Sequence, residues 1–344
     1  MVAVEITAKF LAGMPKAELH VHLEGTLEPE MMLRTARSNG VDLPWTTVEE
    51  IRAAYRFDSL EAFLSVLFRV GQVLRRRQDF YDLTLAYLRQ AAEESVVRSE
   101  MFFGAQTFLD VGVPIAEQLG GVFDAIDDAR AQWGIDGQLI CTAQRHRSEK
   151  DALDLLELLG PWADRILGVG LGSAELGNPP GKFARYFAAA RTRGYRTTVH
   201  AGEGTPASYV TEALDTCVPD RIDHGVSAAE DAEVVRRLAD AGTALTMCPL
   251  SNLALGVVGD LSSHPLRQLL HAGVRVTVNS DDPPFFGGYV NANYLAAAQA
   301  LALDVDDVIA LAHNSFTGSF ADPSEVRSWC GRLEAYRDEQ GAGA

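Results

Sequence analysis

Residues 165–202, RILGVGLGSAELGNPPGKFARYFAAARTRGYRTTVHAG, contain the pattern that decides the fold. The apolar, β-branched runs at 165–172 and 195–202 have the length and composition of buried strands. Between them, residues 179–194 have the apolar spacing of an amphipathic helix and end at a glycine. A strand, a helix and a second strand in this order predict two parallel strands joined by a helical crossover.

The same alternation of strand and helix continues along the chain. The predicted strands are AELHVHL (17–23), SEMFFGAQ (99–106), GQLICTAQ (137–144), RILGVGLG (165–172), YRTTVHAG (195–202), RIDHG (221–225), TALTMCP (243–249) and RVTVNSD (275–281). Eight such units favour a closed α/β barrel of the (β/α)8 TIM type over an open sheet. Residues from about 28 to 95 are largely helical and exceed the needs of one crossover, so we expect this insertion after strand 1 to cover part of the barrel mouth. No linker interrupts the chain, and residues 1–344 are predicted to form a single domain.

The composition excludes several classes of protein. The chain has 47 acidic and 30 basic residues and a formal net charge of -17, which disfavours a nucleic-acid partner. Its four cysteines are far apart and form no CxxC pair, so neither a disulfide framework nor a structural zinc knuckle is expected. No apolar run approaches the ~20 residues that span a bilayer. We therefore expect a cytoplasmic protein with no membrane partner, and the sequence does not indicate its oligomeric state.

Four of the eight histidines fall within or at the ends of predicted strands, and Asp281 lies at such an end too. His20 and His22 are two residues apart on strand 1, so their rings face the same side. His200 ends strand 5, His224 ends strand 6 and Asp281 ends strand 8. Taken singly, each fits an ordinary buried or surface residue. Because barrel active sites lie where the strands end, the set together predicts a metal site, and its nitrogen and carboxylate donors suit Zn²⁺.

Two further acidic residues lie close to these histidines. Glu203 follows His200 by three residues, beyond the strand end, where a proton donor can reach the barrel mouth without being a ligand. Asp223 precedes His224 and is expected to point the other way, as a structural partner. Two-metal barrel hydrolases commonly use a carboxylated lysine at the end of strand 4, and no lysine lies in RILGVGLGSAE. One metal ion is therefore expected.

The stretch RVTVNSDDPPFFGG (275–288) places two carboxylates side by side at a strand end. Successive strand side chains point to opposite faces, so Asp281 and Asp282 are expected to have different partners. Phe285 and Phe286 follow them, and we favour packing at the barrel rim over stacking on a flat ligand.

The motifs HxH, HAGE, RIDHG, CPLSN and NSDDP, in this order, resemble those of the adenosine/adenine deaminase family of the amidohydrolase superfamily. The resemblance covers about residues 14–294. It implies a barrel of the metal-dependent hydrolase kind with one Zn²⁺ per chain, which hydrolyses the 6-amino group of a purine and releases ammonia. By matching motif it implies four zinc ligands: His20, His22, His200 and Asp281.

The same matching implies the other roles in the site. Glu203 resembles the acid that protonates N1 of the purine ring, and His224 resembles the residue that positions and deprotonates the zinc-bound water. Asp282 resembles the group that hydrogen-bonds N7. We expect Glu24 and Ser173, in the motifs HVHLEG and GLGSAE, to bind substrate as well.

The substrate within the family depends on HVHLEG. Adenosine deaminases usually carry HxHLDG, and the extra methylene of Glu24 moves the carboxylate about 1.5 Å farther into the ribose region. This resembles the adenine deaminase branch, which predicts conversion of adenine to hypoxanthine and ammonia. That branch often has acidic residues where this chain has Gly104, Gly172 and Gly204, so a bulkier substrate such as an N6-substituted adenine or adenosine is the alternative. A purine-binding barrel without catalytic activity is a more remote alternative.

Overall fold

Eight strands form one parallel sheet in the computed structural model, which describes residues 5–57 and 60–342. They are β1 (Lys16–His22), β2 (Val96–Phe103), β3 (Asp136–Gln144), β4 (Ile166–Gly172), β5 (Arg196–Ala201), β6 (Arg221–His224), β7 (Ala244–Met247) and β8 (Val276–Val278). Each strand pairs in parallel with the next one in the sequence. A parallel bridge between Val21 and Asp281 joins the last strand region to the first. The predicted (β/α)8 barrel is confirmed.

Helices surround the sheet, as expected where parallel strands need crossovers. The α-helices of the described residues are α1 (Ala8–Gly13), α2 (Pro29–Asn39), α3 (Val48–Ala54), α4 (Leu60–Gly71), α5 (Arg77–Glu93), α6 (Gln106–Leu109), α7 (Ile115–Trp133), α8 (Glu149–Leu159), α9 (Ala184–Thr192), α10 (Ala207–Glu212), α11 (Ala232–Ala241), α12 (Pro249–Ala254), α13 (Leu266–His271), α14 (Pro283–Phe286), α15 (Val290–Ala300), α16 (Val305–Thr317) and α17 (Pro323–Ala342). Short 3₁₀ turns lie at Leu23–Thr26, Gly160–Trp162, Pro180–Phe183, Val226–Glu230 and Leu261–Ser263, and a π-helical turn lies at Ala213–Cys217. No helix in these ranges is long and apolar enough to cross a membrane.

Local sequence signals explain where several helices begin and end. Helix α8 begins with a capping box, in which the Ser148 side chain accepts from Asp151 N–H and the Asp151 side chain accepts in return. Helix α11 begins where Asp231 accepts from the first turn. It ends at Gly242, whose φ of 65° is the left-handed value that glycine adopts without strain.

The strand bounds differ most from prediction at β2 and β8. Strand β2 begins at Val96, three residues before the predicted start. Strand β8 ends at Val278, so the expectation that Asp281 ends this strand is wrong. The reason is that the Asn279 side chain, in place of a backbone carbonyl, accepts the hydrogen bond from Leu19 N–H at 2.8 Å.

Helices α2 to α5 lie between β1 and β2, within the predicted helical segment. Residues 58 and 59 of that segment, and residues 1–4 and 343–344 of the chain, lie outside the described residues. The insertion packs on the loop after β8: the Tyr55 and Phe285 rings stack at 4.2 Å, and Phe63 lies 4.7 Å from Phe286. Both phenylalanines of that loop are buried. That residues 1–344 form one domain stays a prediction.

Candidate active site

Three histidine rings and one carboxylate converge at the carboxyl end of the barrel. His22 Nε2 lies 3.2 Å from His200 Nε2, and Asp281 Oδ1 lies 3.3 Å from His20 Nε2 and 3.4 Å from His22 Nε2. Donors about 2.0–2.1 Å from a tetrahedral zinc ion are about 3.3 Å apart, so these distances fit such an ion. The buried His20 Nε2 makes no hydrogen bond within the described residues. The donor set therefore fits a zinc ion.

A second layer of side chains orients these donors. His20 Nδ1 lies 2.8 Å from Thr246 Oγ1, and Ser251 Oγ donates to Asp281 Oδ2 at 2.6 Å. Contacts of this kind fix the ring orientation and the donor atom of a metal ligand. Asp223 Oδ2 lies 3.1 Å from His200 Nδ1, which makes Asp223 a structural partner of that ring.

His224 and Asp281 have left-handed backbone conformations, with φ of 60° and 63°. Such values cost non-glycine residues about 1–3 kcal/mol each and are concentrated at functional sites. At these positions the simple alternation of side chains is lost. His224 consequently lies beside the same ring as Asp223, with ring centroids 5.1 Å from His200, so the expectation that these neighbours point to opposite sides is wrong.

Asp281 and Asp282 also meet in one site instead of lying on opposite faces, since donor atoms of His22, Asp281 and Asp282 lie within 4.8 Å of one another. That the two carboxylates have different partners stays a prediction. Asp282 Oδ1 makes no hydrogen bond within the described residues. It lies only 1.7 Å from where a Cβ on Gly25 would be, so the glycine makes room for this carboxyl group.

The electrostatics of the cluster follow from burial. Burial lowers the pKa of His20, lowers the pKa of His22 to about 3, and lowers that of His224 well below its usual value, so these rings are neutral and offer lone pairs. Burial raises the pKa of Asp281, but its contacts with the neighbouring imidazoles, His20 first, outweigh burial and lower this pKa well below its usual value, so the carboxyl group is ionised. Burial and the Asp281 charge raise the pKa of Asp282.

A cavity lies above the cluster. Its apolar roof is one side of α4, formed by Leu60, Phe63, Leu64, Leu67 and Phe68. Its polar wall combines His22, His200 and Asp281 of the cluster with Glu203, His224 and Asp282, and the ends of β2 to β4 complete it with Gly104, Thr142, Gln144 and Gly172. A cavity with one apolar side and a few polar groups is typical of a site for a small molecule.

Glu203 faces this cavity from the turn after β5. Its Oε1 lies 3.7 Å from His224 Nε2. Burial, followed by the charge of Asp281, raises the pKa of Glu203 well above its usual value. A protonated carboxyl group and a neutral imidazole are therefore adjacent, and they can act as proton donor and proton acceptor.

Glu175 is a residue that sequence reasoning missed. Its carboxylate accepts from three successive backbone N–H groups, those of Gly202 at 2.7 Å, Glu203 at 3.1 Å and Gly204 at 3.3 Å. Arg145 lies behind it, 3.9 Å from Glu175 Oε1, and donates to the His200 carbonyl at 2.6 Å. Glu175 thus fixes the turn that carries Glu203. Its position just beyond strand 4, in GLGSAE, could have indicated a role in the site, because active-site residues of barrels lie where the strands end.

The two remaining expected binding residues line the cavity too. Glu24 Oε1 accepts from Gly104 N–H at 2.9 Å, and burial raises the pKa of this carboxyl to about 7. Ser173 has a left-handed φ of 80°, and its Oγ lies 2.8 Å from His146 Nδ1.

Comparison with known proteins adds independent information. A family model described as adenosine deaminase matches residues 15–335. An adenine deaminase from Rhodopseudomonas palustris (strain BisB18) is 47% identical over 327 residues, 95% of this chain and 95% of that protein. The solved structure of an adenine deaminase from Arthrobacter aurescens aligns with a TM-score of 0.93 and 41% identity, covering 94% of this chain and 99% of that one. A zinc-bound amidohydrolase from Burkholderia ambifaria aligns with a TM-score of 0.90 and 25% identity, covering 99% and 97%.

Proposed function

The chain belongs to the adenosine deaminase family, and from that premise we propose that it hydrolyses the 6-amino group of adenine to give hypoxanthine and ammonia. The observation that carries the reaction type is the convergence of His20, His22, His200 and Asp281 below a cavity that also holds Glu203 and His224. The choice of adenine is supported by the adenine deaminases that this chain resembles over 94–95% of its length.

We propose one Zn²⁺ per chain, held by His20, His22, His200 and Asp281. The donor distances and the zinc in the related amidohydrolase structure support this assignment. A zinc ion bound there would lower the pKa of a coordinated water to about 7 and so supply a nucleophile at neutral pH.

Glu203 supplies the proton that the ring requires. Attack on C6 of the purine breaks ring aromaticity and moves charge onto N1, so an acid placed at N1 stabilises the transition state. The raised pKa keeps Glu203 protonated for this step. Glu175 holds the backbone on both sides of Glu203, so the carboxyl group enters the cavity at a fixed position.

His224 accepts a proton from the attacking water, because burial keeps its ring neutral. The ring is 3.7 Å from Glu203, so proton acceptor and proton donor act on the same side of the cavity. Asp282 contacts N7 and orients the base, while Glu24 and Ser173 contact the rest of it. The apolar side of α4 covers the bound base and excludes water.

An ammonia-release assay across adenine, adenosine and N6-methyladenine, with metal content measured on the same preparation, tests the proposal. We expect kcat/KM for adenine to exceed that for adenosine about 100-fold or more, since Glu24 occupies the space that a ribose needs. A preference for adenosine or for N6-methyladenine would move the assignment to that substrate. If no purine gives ammonia, the chain is a purine-binding barrel without catalysis.

A further inference from the structure

We propose that Glu24, held against Gly104, selects the free base over the nucleoside by accepting a hydrogen bond from the N9–H group of the purine. This inference rests on the proposed function, in which N1 faces Glu203 and N7 faces Asp282. It replaces a criterion of size with a criterion of chemistry, since only the free base carries a hydrogen on N9.

The two oxygens of the Glu24 carboxyl group have different surroundings. Oε1 accepts from Gly104 N–H at 2.9 Å. Oε2 is buried and makes no hydrogen bond within the part of the chain that the structure describes. Glu24 is only 8% exposed and lines the cavity. A buried carboxylate oxygen without a partner is unfavourable, so this oxygen lacks a donor that a bound ligand can supply.

Gly104 determines where this carboxyl group lies. A Cβ built on Gly104 would be 2.6 Å from Glu24 Oε1, which is closer than real Cβ contacts. A side chain at this position would require the Glu24 carboxyl group, the end of a flexible side chain, to shift from its observed position. The absence of a side chain at residue 104 therefore permits the observed position of Glu24.

Glu24 and Asp282 line the same cavity. Asp282 Oδ1 lies against Gly25, the residue that follows Glu24, and the Glu24 charge contributes to the raised pKa of Asp282. The two carboxyl groups are therefore neighbours. N7 and N9 belong to the same five-membered ring, so a base with N7 at Asp282 brings N9 towards Glu24.

The chemistry of N9 then separates the two classes of substrate. In the free base N9 carries a hydrogen and donates to Oε2, whereas in a nucleoside N9 is bonded to the sugar carbon and donates nothing. The Glu24 carboxyl group, whose pKa burial raises to about 7, is ionised above that pH, and there a hydrogen bond to its charged oxygen changes affinity roughly 10- to 100-fold.

The test compares adenine with 9-methyladenine, which lacks the N9–H group. Each is assayed as a substrate by ammonia release, and 9-methyladenine is also assayed as an inhibitor of adenine deamination. Glu24→Ala should lower kcat/KM for adenine roughly 10- to 100-fold and should tighten inhibition by 9-methyladenine. Glu24→Gln, which keeps the size of the side chain, should also lower kcat/KM for adenine, because its one oxygen is taken by Gly104.

Gly104→Ala should reproduce the loss on adenine without any change at Glu24 itself. The matched control is Gly71→Ala, since a Cβ there would lie 3.5 Å from its nearest neighbours, Phe108 and Thr107. This control should leave kcat/KM within about twofold, because 3.5 Å is an ordinary contact between carbon atoms. Metal content and circular dichroism of each variant show whether the barrel is intact.

The outcomes separate this inference from the function on which it rests. If the Glu24 variants weaken both ligands by the same factor, or if neither ligand responds, the N9–H assignment is wrong although adenine remains the substrate. If the unmutated protein releases no ammonia from adenine, the proposed function is rejected and this inference with it.

Discussion

Compared with the carboxyl end of the barrel, the region nearer the amino ends of the strands contains a group of buried charges held as matched ion pairs. Glu100 accepts from Arg221 Nη1 at 2.6 Å and from Arg98 Nε at 2.8 Å. Arg98 also contacts Asp136, and the Arg221 guanidinium lies 4.4 Å from the Phe320 ring centre. Each charge of this group, which consists of Glu100, Asp136, Arg98 and Arg221, has a partner of opposite sign.

The carboxyl end buries acidic groups without basic partners. Four carboxyl groups line the cavity: Glu24, Glu203, Asp281 and Asp282. Among the described residues that line it, none is a lysine or an arginine. Burial raises the pKa of three of these groups, and only Asp281, which contacts imidazoles, has a lowered one.

The ion-paired charges around Glu100 stabilise the fold, whereas the unpaired carboxyl groups of the cavity can bind a ligand. In a matched interior pair the two charges already interact with each other, so neither is available to a substrate. An unmatched acid in a cavity is costly in the free protein, and a bound cation or base can satisfy it. We therefore expect changes at the two ends to affect different measurements.

The largest expected effect is removal of the metal. Dialysis against a chelator should lower deaminase activity about 1000-fold or more, because the several kcal/mol that a metal contributes to the transition state are lost. One equivalent of Zn²⁺ per chain should restore the activity. Metal depletion is verified by elemental analysis. Full activity in the depleted protein would show that the cluster at the carboxyl end of the barrel does not act through a metal ion.

Glu203→Gln should have the next largest effect on activity. The amide cannot donate the proton in the same way, so kcat should fall about 10²- to 10⁴-fold. Zinc content and binding of a purine inhibitor should stay close to those of the unmutated protein. The control at the other end is Glu325→Gln, an exposed change that should leave kcat unaltered. Retention of kcat in Glu203→Gln would assign the proton donor elsewhere.

Glu100→Gln should affect stability instead of chemistry. It removes the nearer charge partner of the buried Arg221 and leaves only Asp223, whose Oδ1 lies 3.8 Å from Arg221 Nε, so the free energy of unfolding at pH 7 should fall by about 3–5 kcal/mol. Burial raises the pKa of Glu100, but the charges of Arg221 and Arg98 outweigh it, so its pKa in the folded protein is below the ordinary 4.5.

The pH dependence of this effect follows from the sign of the pKa shift. A lowered pKa stabilises the fold above pH 4.5, and this contribution is lost as pH falls through the lowered pKa. The difference between Glu100→Gln and the unmutated protein should therefore shrink below pH 4.5, as measured by urea unfolding. A difference that does not change with pH would contradict the ion-pair interpretation.

Glu175→Gln should have the smallest effect. The amide can accept from Gly202 but cannot accept from all three N–H groups, so kcat should fall about tenfold while KM stays within about threefold. The Glu175 charge contributes to the raised pKa of Glu203, so the fall of kcat at high pH should move to lower pH in the variant. An unshifted pH profile would reduce Glu175 to a structural role.

Residue spacing was sufficient to predict the barrel and to nominate the metal donors. The HxH pair on β1 predicts two donors on the same side of the strand, because side chains two residues apart on a strand share a face. Asp281 and His224 could be nominated by position, but their orientation depends on left-handed φ values that the spacing of strand residues does not encode. Glu175 acts through backbone N–H groups of a distant turn, and such contacts leave no periodic pattern in the sequence.

The bridge between Val21 and Asp281 has a consequence for biosynthesis. Two of the proposed donors, His20 and His22, belong to β1, and a third, Asp281, follows β8. A nascent chain thus lacks a complete set of donors until all eight strands have been translated. Acquisition of the ion consequently requires translation through Asp281, and products that terminate before this residue lack one of the ligands.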